Sequence, residues 1–213
     1  MYRPIQIKVC GLTREEDVDL ALSLGADYYG FIFYSKSPRG LSLKRATELA
    51  ARVPMGKRVM VDVETDTESL ERIRDAGFDY FQIHSGLQVG LGTLAAWSGL
   101  VGKDRLCLAP RLSPRDPFPE ATLEFAHSIL MDTYARDQVG GTGKVGDWGR
   151  FSELKEAYPQ THWILAGGLS PENVLESVAA TGVDHLDLNS GVESAPGVKD
   201  HAKLREVFRI LRP

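Results

Sequence analysis

Two glycine-rich segments, each directly behind a short apolar run, hold residues suited to binding an anion: Ile164-Leu165-Ala166-Gly167-Gly168-Leu169-Ser170-Pro171 and Leu186-Asp187-Leu188-Asn189-Ser190-Gly191-Val192. Glycine lets backbone N–H groups approach an anion closely. Ser170 ahead of Pro171 predicts an N-cap and first helical position, so a helix N-terminus is expected to point back at the same place. Gly167, Gly168, Ser190 and Gly191 are therefore the expected phosphate cup. Other apolar runs end in groups that can move protons or orient a substrate: Cys10, Asp62, His84, Asp132, Asp187 and Asn189. A thiol, an imidazole and carboxylates beside a phosphate cup suit general acid/base work on a small phosphorylated molecule.

For these groups to meet, the runs that carry them must be strands of one sheet. Strands are expected near 5–10, 27–34, 57–63, 79–84, 105–111, 128–132, 162–166 and 185–189, with helical patterns between them. Side chains alternate across a strand, so Gln6, Lys8 and Cys10 share the face opposite Ile5, Ile7 and Val9. The same division sets Arg58, Met60 and Asp62 against Val59, Val61 and Val63, and Tyr80, Gln82 and His84 against Phe81 and Ile83. It also sets Leu130 and Asp132 against Ile129 and Met131, and His185, Asp187 and Asn189 against Leu186 and Leu188. The apolar faces are expected to meet helices and the mixed faces to point inward, which gathers the six polar groups at one rim. A buried network in which they merely satisfy one another is the structural alternative.

A repeat supplies the count. Gly25-Ala26-Asp27, Gly77-Phe78-Asp79 and Gly182-Val183-Asp184 each stand where a helical pattern gives way to a strand, 52 and 105 residues apart. With units of about 27 residues these close the first, third and seventh helices of a (β/α)8 barrel, a fold that often builds its phosphate site after strands 7 and 8. The 213 residues, 43% hydrophobic, suffice for one such domain spanning the chain. Thr13 with Glu16, and Thr65 with Glu68, predict capping boxes, and a final helix is expected over 200–211. Ser85 to Lys103, rich in glycine, is expected to be an irregular fourth helical layer.

A net charge of −4 gives no basic footprint for nucleic acid, and no segment approaches the ~20 apolar residues that cross a bilayer. No apolar signal core lies in Met1 to Cys10, and two cysteines make a disulfide framework implausible, so a reducing cytoplasm is the expected compartment.

Several strings, in order along the chain, resemble the phosphoribosylanthranilate isomerase family of tryptophan biosynthesis. They are Lys8-Val9-Cys10-Gly11-Leu12-Thr13, Gly30-Phe31-Ile32-Phe33-Tyr34 with Ser37-Pro38-Arg39, and Leu130-Met131-Asp132-Thr133 with Gly140-Gly141-Thr142-Gly143-Lys144 and Asp147-Trp148. Ala166-Gly167-Gly168-Leu169 with Pro171-Glu172-Asn173-Val174, and Ser190-Gly191-Val192-Glu193 with Pro196-Gly197-Val198-Lys199-Asp200, complete the set. The resemblance implies a (β/α)8 barrel that carries out an Amadori rearrangement without metal or cofactor. It implies Asp132 as the acid that opens the furanose and Cys10 as the base that takes the proton from C2. Asp132 then needs a raised pKa, which partial burial among carboxylates would supply. The Cys10 thiolate needs support from Lys8 or from the electrophilic imine itself. The resemblance further implies Arg39 near the anthranilate carboxylate, His84 and Asp187 as substrate contacts, and Gly143 in a mobile loop that adds to the phosphate site. The expected partner is a small phosphosugar, bound by a monomer or homodimer.

Two stretches depart from the family pattern: Ser85-Gly86-Leu87-Gln88 after His84, and Leu106-Cys107-Leu108-Ala109-Pro110-Arg111 in strand 5. They put the substrate-facing wall in question. Gly140 to Lys144 fails as a Walker A loop because Gln138 and Val145 stand where Gly and Ser or Thr are needed. Gly90-x-Gly92-x-x-Ala95 fails as a dinucleotide fingerprint and is expected to be a loop. The histidines lack ligand spacing, leaving His84 with Asp62 and Asp187 as the residual metal candidate. A flavin-phosphate barrel, a catalytically silent phosphosugar sensor and a sugar-phosphate epimerase remain as alternatives.

Overall fold

The computed structural model describes residues 4–113, 115–132 and 147–212. The helix-ending glycines of the repeat are all left-handed, Gly25 at φ +75°, Gly77 at +92° and Gly182 at +57°, a conformation costly to any residue with a Cβ. The aspartates behind the first two latch neighbouring strands: Asp27 Oδ2 accepts from Ile7 N–H at 2.8 Å and Asp79 Oδ2 from Arg58 N–H at 3.0 Å. One short motif thus both stops a helix and fixes the start of the strand beside the next one.

Eight parallel strands result: β1 (Gln6–Val9), β2 (Tyr28–Ile32), β3 (Arg58–Val63), β4 (Tyr80–Ser85), β5 (Leu106–Pro110), β6 (Ser128–Asp132), β7 (His162–Ala166) and β8 (His185–Leu188). They pair in chain order and close through β1 and β8, with Lys8 opposite Asp187 in register. Around them lie α1 (Glu15–Ser23), α2 (Leu43–Ala50), α3 (Thr67–Asp75), α4 (Leu91–Val101), the single-turn α5 (Thr122–Phe125), α6 (Trp148–Ala157), α7 (Val174–Thr181) and α8 (His201–Leu211). An antiparallel pair, β9 (Glu193–Ala195) and β10 (Val198–Lys199), separates β8 from α8.

Ile7, Val9, Phe81, Ile83, Ile129, Met131, Leu186 and Leu188 pack in the cluster between barrel and helices, as their alternation predicts. Strand β3 is turned the other way. Val59 and Val61 join Cys10 and Ile32 inside the barrel, whereas Met60 packs with the helix layer and Asp62 lines an outer cavity with Phe33, Leu41 and Ile73. Alternation separates the two sets without saying which is inside, because the charged Arg58 and Asp62 stand toward the ends of the strand while its buried middle, Val59, Met60 and Val61, is apolar on both faces.

The expected capping boxes are absent. Arg14 precedes α1 without a side-chain cap, and the Thr13 hydroxyl donates instead to Gly197 C=O at 2.5 Å, tying the β1 loop to the β9–β10 turn. At α3 the neighbouring Asp66, a charged acceptor, takes the Ser69 N–H in place of Thr65. Asp200 caps α8 through Ala202 and Lys203. The fourth layer is a regular helix, α4, anchored by buried Leu94, Trp97 and Val101. Gly90 is its N-cap and Gly92 and Ala95 lie inside it, correcting the loop expected there. Regular α7 starts at Val174, later than Ser170 suggested, because a turn over 171–173 intervenes.

Candidate active site

The C-terminal ends of the strands converge on one mouth. Cys10, just past β1, is 2% exposed and packs with Ile32, Val59 and Val61. A Cβ on Gly30 of β2 would lie 2.8 Å from Cys10 Sγ and 3.1 Å from Lys8 Cε, so only glycine leaves room for both side chains. Lys8 reaches across the interior to donate to Asp187 Oδ1 at 3.0 Å and Gln82 Oε1 at 2.8 Å. The Gln82 amide nitrogen lies 3.0 Å from His84 Nε2. An ammonium can only donate, so Gln82 presents its oxygen to Lys8 and its NH2 to His84, which makes His84 Nε2 the acceptor and puts the ring proton on Nδ1. Burial, Lys8 and Arg111 together push His84 down to about 4, so it is neutral at physiological pH.

Cys10 is affected in the opposite direction. Burial raises the thiol pKa, Asp187 raises it further, and the cations Lys8 and Lys199 only partly offset the two. Lys8, expected to favour the thiolate, has its charge matched by the buried Asp187. Asp187 is correspondingly an interior residue of β8, 6% exposed, rather than a rim group. Asp132 ends β6, in register with Ala166 of β7, in an exposed position instead of being partly buried among carboxylates.

The two glycine loops are built against each other. Gly167 and Gly168 adopt φ +103° and +62°, and a Cβ on Gly191 would sit 2.1 Å from Leu169 C=O. Asn173 pins the first loop: its amide donates to Gly168 C=O at 3.0 Å and its Oδ1 accepts from Ser170 N–H at 2.9 Å. Gly168 and Leu169 N–H groups find no acceptor among the described residues. Ser190 and Gly191 form a 3-10 turn beside them. The Ser170 hydroxyl donates to Glu172 rather than capping a helix. Gly143 and the whole of Gly140 to Lys144 lie outside the described residues.

Arg39, in the loop after β2, turns a fork onto Glu193, donating from Nε at 2.9 Å to one carboxylate oxygen and from Nη2 at 2.5 Å to the other. Lys199 Nζ donates to the same carboxylate at 3.0 Å. Glu193, Lys199, Asn173 and Gln82 received no role from sequence reasoning. The first three stand inside motif strings, and their contacts arise only between distant elements. The atypical wall has a bracket of its own: Glu64, left-handed at φ +46°, accepts from Gly86 N–H, Gln88 and Arg111, linking the ends of β3, β4 and β5. Asp62 stays outside the barrel, so His84, Asp62 and Asp187 are not gathered. Among the described residues no group of three or more His, Cys, Asp or Glu is placed to hold a metal ion.

A closed parallel barrel that carries a thiol, Asp132 and two interlocked glycine loops at its C-terminal strand ends belongs to the (β/α)8-barrel enzymes, which carry their active sites at this face. The family model for N-(5'phosphoribosyl)anthranilate (PRA) isomerase matches residues 7–209. The chain is 35% identical to the N-(5'-phosphoribosyl)anthranilate isomerase of Aquifex aeolicus, covering 96% of this chain and 97% of that one. Its fold matches the crystal structure of the Thermus thermophilus phosphoribosyl anthranilate isomerase with TM-score 0.79 at 30% identity, covering 97% and 98% of the two chains. A phosphoribosyl anthranilate isomerase solved in complex with reduced 1-(o-carboxyphenylamino)-1-deoxyribulose 5-phosphate matches with TM-score 0.72 at 26% identity, over 96% and 97%. The chain belongs to the N-(5'-phosphoribosyl)anthranilate isomerase family.

Proposed function

We propose that this site converts N-(5'-phosphoribosyl)anthranilate to 1-(o-carboxyphenylamino)-1-deoxyribulose 5-phosphate in the cytoplasm, as a monomer or homodimer. The observation that carries the reading is the convergence of Cys10, Asp132 and the two interlocked glycine loops on one barrel mouth, within a chain that matches the family over nearly its full length. The N–H groups of Gly167, Gly168, Ser190 and Gly191 hold the phosphate, with Gly143 as a further contact. Asp132 protonates the furanose oxygen as the C1–O bond breaks, and the nitrogen lone pair forms the imine. Cys10 as thiolate takes the C2 proton, and the C–H electron pair flows toward nitrogen to give the enolamine. Ketonisation then completes the rearrangement with no net change in protons.

The resting thiol is protonated at neutral pH, because burial and Asp187 raise it; it releases that proton to water as the cationic imine forms and regains one from C2, while Asp132 is reprotonated from water, so the cycle balances. With Lys8 matched by Asp187, the cationic imine is the species that stabilises the thiolate. Arg39 and His84 contact the aromatic acid and sugar, and Asp187 acts through Lys8.

Mixing the protein with phosphoribosylanthranilate should extinguish its anthranilate-type fluorescence. Asp132→Asn should lose turnover by at least about 10²-fold while inorganic phosphate still binds, since the amide keeps the shape and cannot deliver the proton. Activity within a few-fold of wild type would remove Asp132 from the acid role.

A further inference from the structure

Arg39 is joined to the phosphate cup by a buried chain of ion pairs that the proton transfers do not require. Glu193 is the first residue of β9, two positions after Gly191, and its side chain is 4% exposed. Besides both donors of the Arg39 fork it accepts from Lys199 Nζ at 3.0 Å and from Gly197 N–H at 3.3 Å. Lys199, fully buried, also donates to Asn189 Oδ1 at 3.1 Å and to Asn189 C=O at 3.3 Å, and Asn189 is the residue before Ser190 of the cup. At its other end, Arg39 lies so close to the residue after Cys10 that a Cβ on Gly11 would be 2.8 Å from Arg39 Cδ. The chain therefore runs from cup loop to Lys199, Glu193, Arg39 and the edge of the thiol.

Charge and geometry give this chain a direction. It holds two cations against one carboxylate, and Lys199 is sealed from solvent, so an incoming anion can reach the surplus charge only through Arg39. Glu193 occupies the side-on edge of the guanidinium. Nη1 has no acceptor among the described residues, which leaves the outer edge of the planar fork for a second carboxylate.

We propose that Glu193 is a positioning residue that holds Arg39 at a fixed span from the phosphate cup, with Lys199 as the tie to the cup loop. The site then selects phosphosugars that carry a carboxylate at that span. This role rests on the reading of Arg39 as the carboxylate contact given above.

A double-mutant cycle in steady-state kinetics tests it, using Arg39→Met, Glu193→Gln and the pair, with phosphoribosylanthranilate as substrate and inorganic phosphate as competitive inhibitor. Glu193→Gln should raise KM about tenfold with kcat within about threefold. In the Arg39→Met background it should add less than about twofold, because nothing is left to position. The inhibition constant for phosphate should stay within about twofold in both single variants. Since Glu193→Gln strands two buried cations beside a neutral amide, Glu193→Gln/Lys199→Met, which restores the original net charge, is measured alongside and should show the same rise in KM. KM effects that multiply in the double variant, or phosphate inhibition weakening in step with KM, would overturn the role. A wild-type protein without turnover overturns the reading of the whole site, whereas an active wild type with a multiplicative cycle overturns Glu193 alone.

Discussion

At Cys10 three neighbours compete, and the outcome is open to measurement. Asp187 raises the thiol both directly and by matching the charge of Lys8. Asp187→Asn removes a negative neighbour and leaves the ammonium unmatched, so the thiol pKa should fall. Iodoacetamide should then modify Cys10 several-fold faster at pH 8 than in wild type, and an unchanged or slower rate would contradict the electrostatic account. Cys107 is a different thiol: burial pushes it up to about 12, and it packs with Ala109, Leu130, Ile164 and Ala166. Cys10→Ser should therefore cost far more turnover than Cys107→Ser at matched stability. Equal, small losses would return Cys10 to a packing role. That a thiol stands before Gly11 was legible in the sequence, but its protonation state was not, because it depends on Asp187 from the opposite end of the chain.

The loop after β7 shows how one side chain holds a glycine loop in shape. Its two left-handed glycines would collapse onto other partners without a brace, and Asn173 supplies one through two hydrogen bonds across a five-residue turn. Inorganic phosphate should slow hydrogen exchange at Gly167, Gly168, Ser190 and Gly191 together, since the loops touch at Gly191. Asn173→Ala should weaken phosphate binding several-fold while costing about 1–2 kcal/mol of stability, the usual effect of losing such bonds. Protection that spares both loops would mean the cup is misplaced. The sequence signalled the glycines but set the start of α7 too early. Pro171 opens a turn rather than the regular helix, and Ser170 keeps its hydroxyl for Glu172.

Across the whole molecule, the N-terminal end of the barrel carries neutral histidines in low-dielectric surroundings. His185 Nδ1 lies 3.3 Å from His162 Nε2, His162 Nδ1 lies 3.0 Å from Ser128 Oγ, and Tyr28 stacks on the His185 ring. Burial lowers His162 and His185, as it lowers His84 to about 4 at the other end. Below pH ~6.5 the unfolded chain takes up protons on these histidines while the folded one does not, so stability rises with pH across that window. It should be complete above pH ~6.5 and fall progressively as the pH drops, with His84 adding up to about 1.4 kcal/mol per pH unit until it titrates near 4. Urea unfolding at pH 7, 6 and 5 measures this slope, and His185→Gln should make it shallower. A flat profile, or the same slope in the variant, would rule the histidines out as its source.

The sequence by itself determined the barrel and the inward and outward faces of most of its strands. Period-two alternation with polar residues on one face, helix-ending glycines and glycine loops are local signals that need no partner to be read. It also set Cys10, Asp132 and the glycines proposed as the cup at strand ends, because each closes or follows an apolar run. Only the tertiary structure decided the orientation of β3, whose buried middle, Val59, Met60 and Val61, is apolar on both faces while the charged Arg58 and Asp62 lie toward its ends, so the neighbouring strands choose. It alone decided that Lys8 would be matched by Asp187, and that Arg39 would meet Glu193 across 154 residues of chain. A charge's effect depends on distance through the folded interior, and sequence separation carries no measure of that distance.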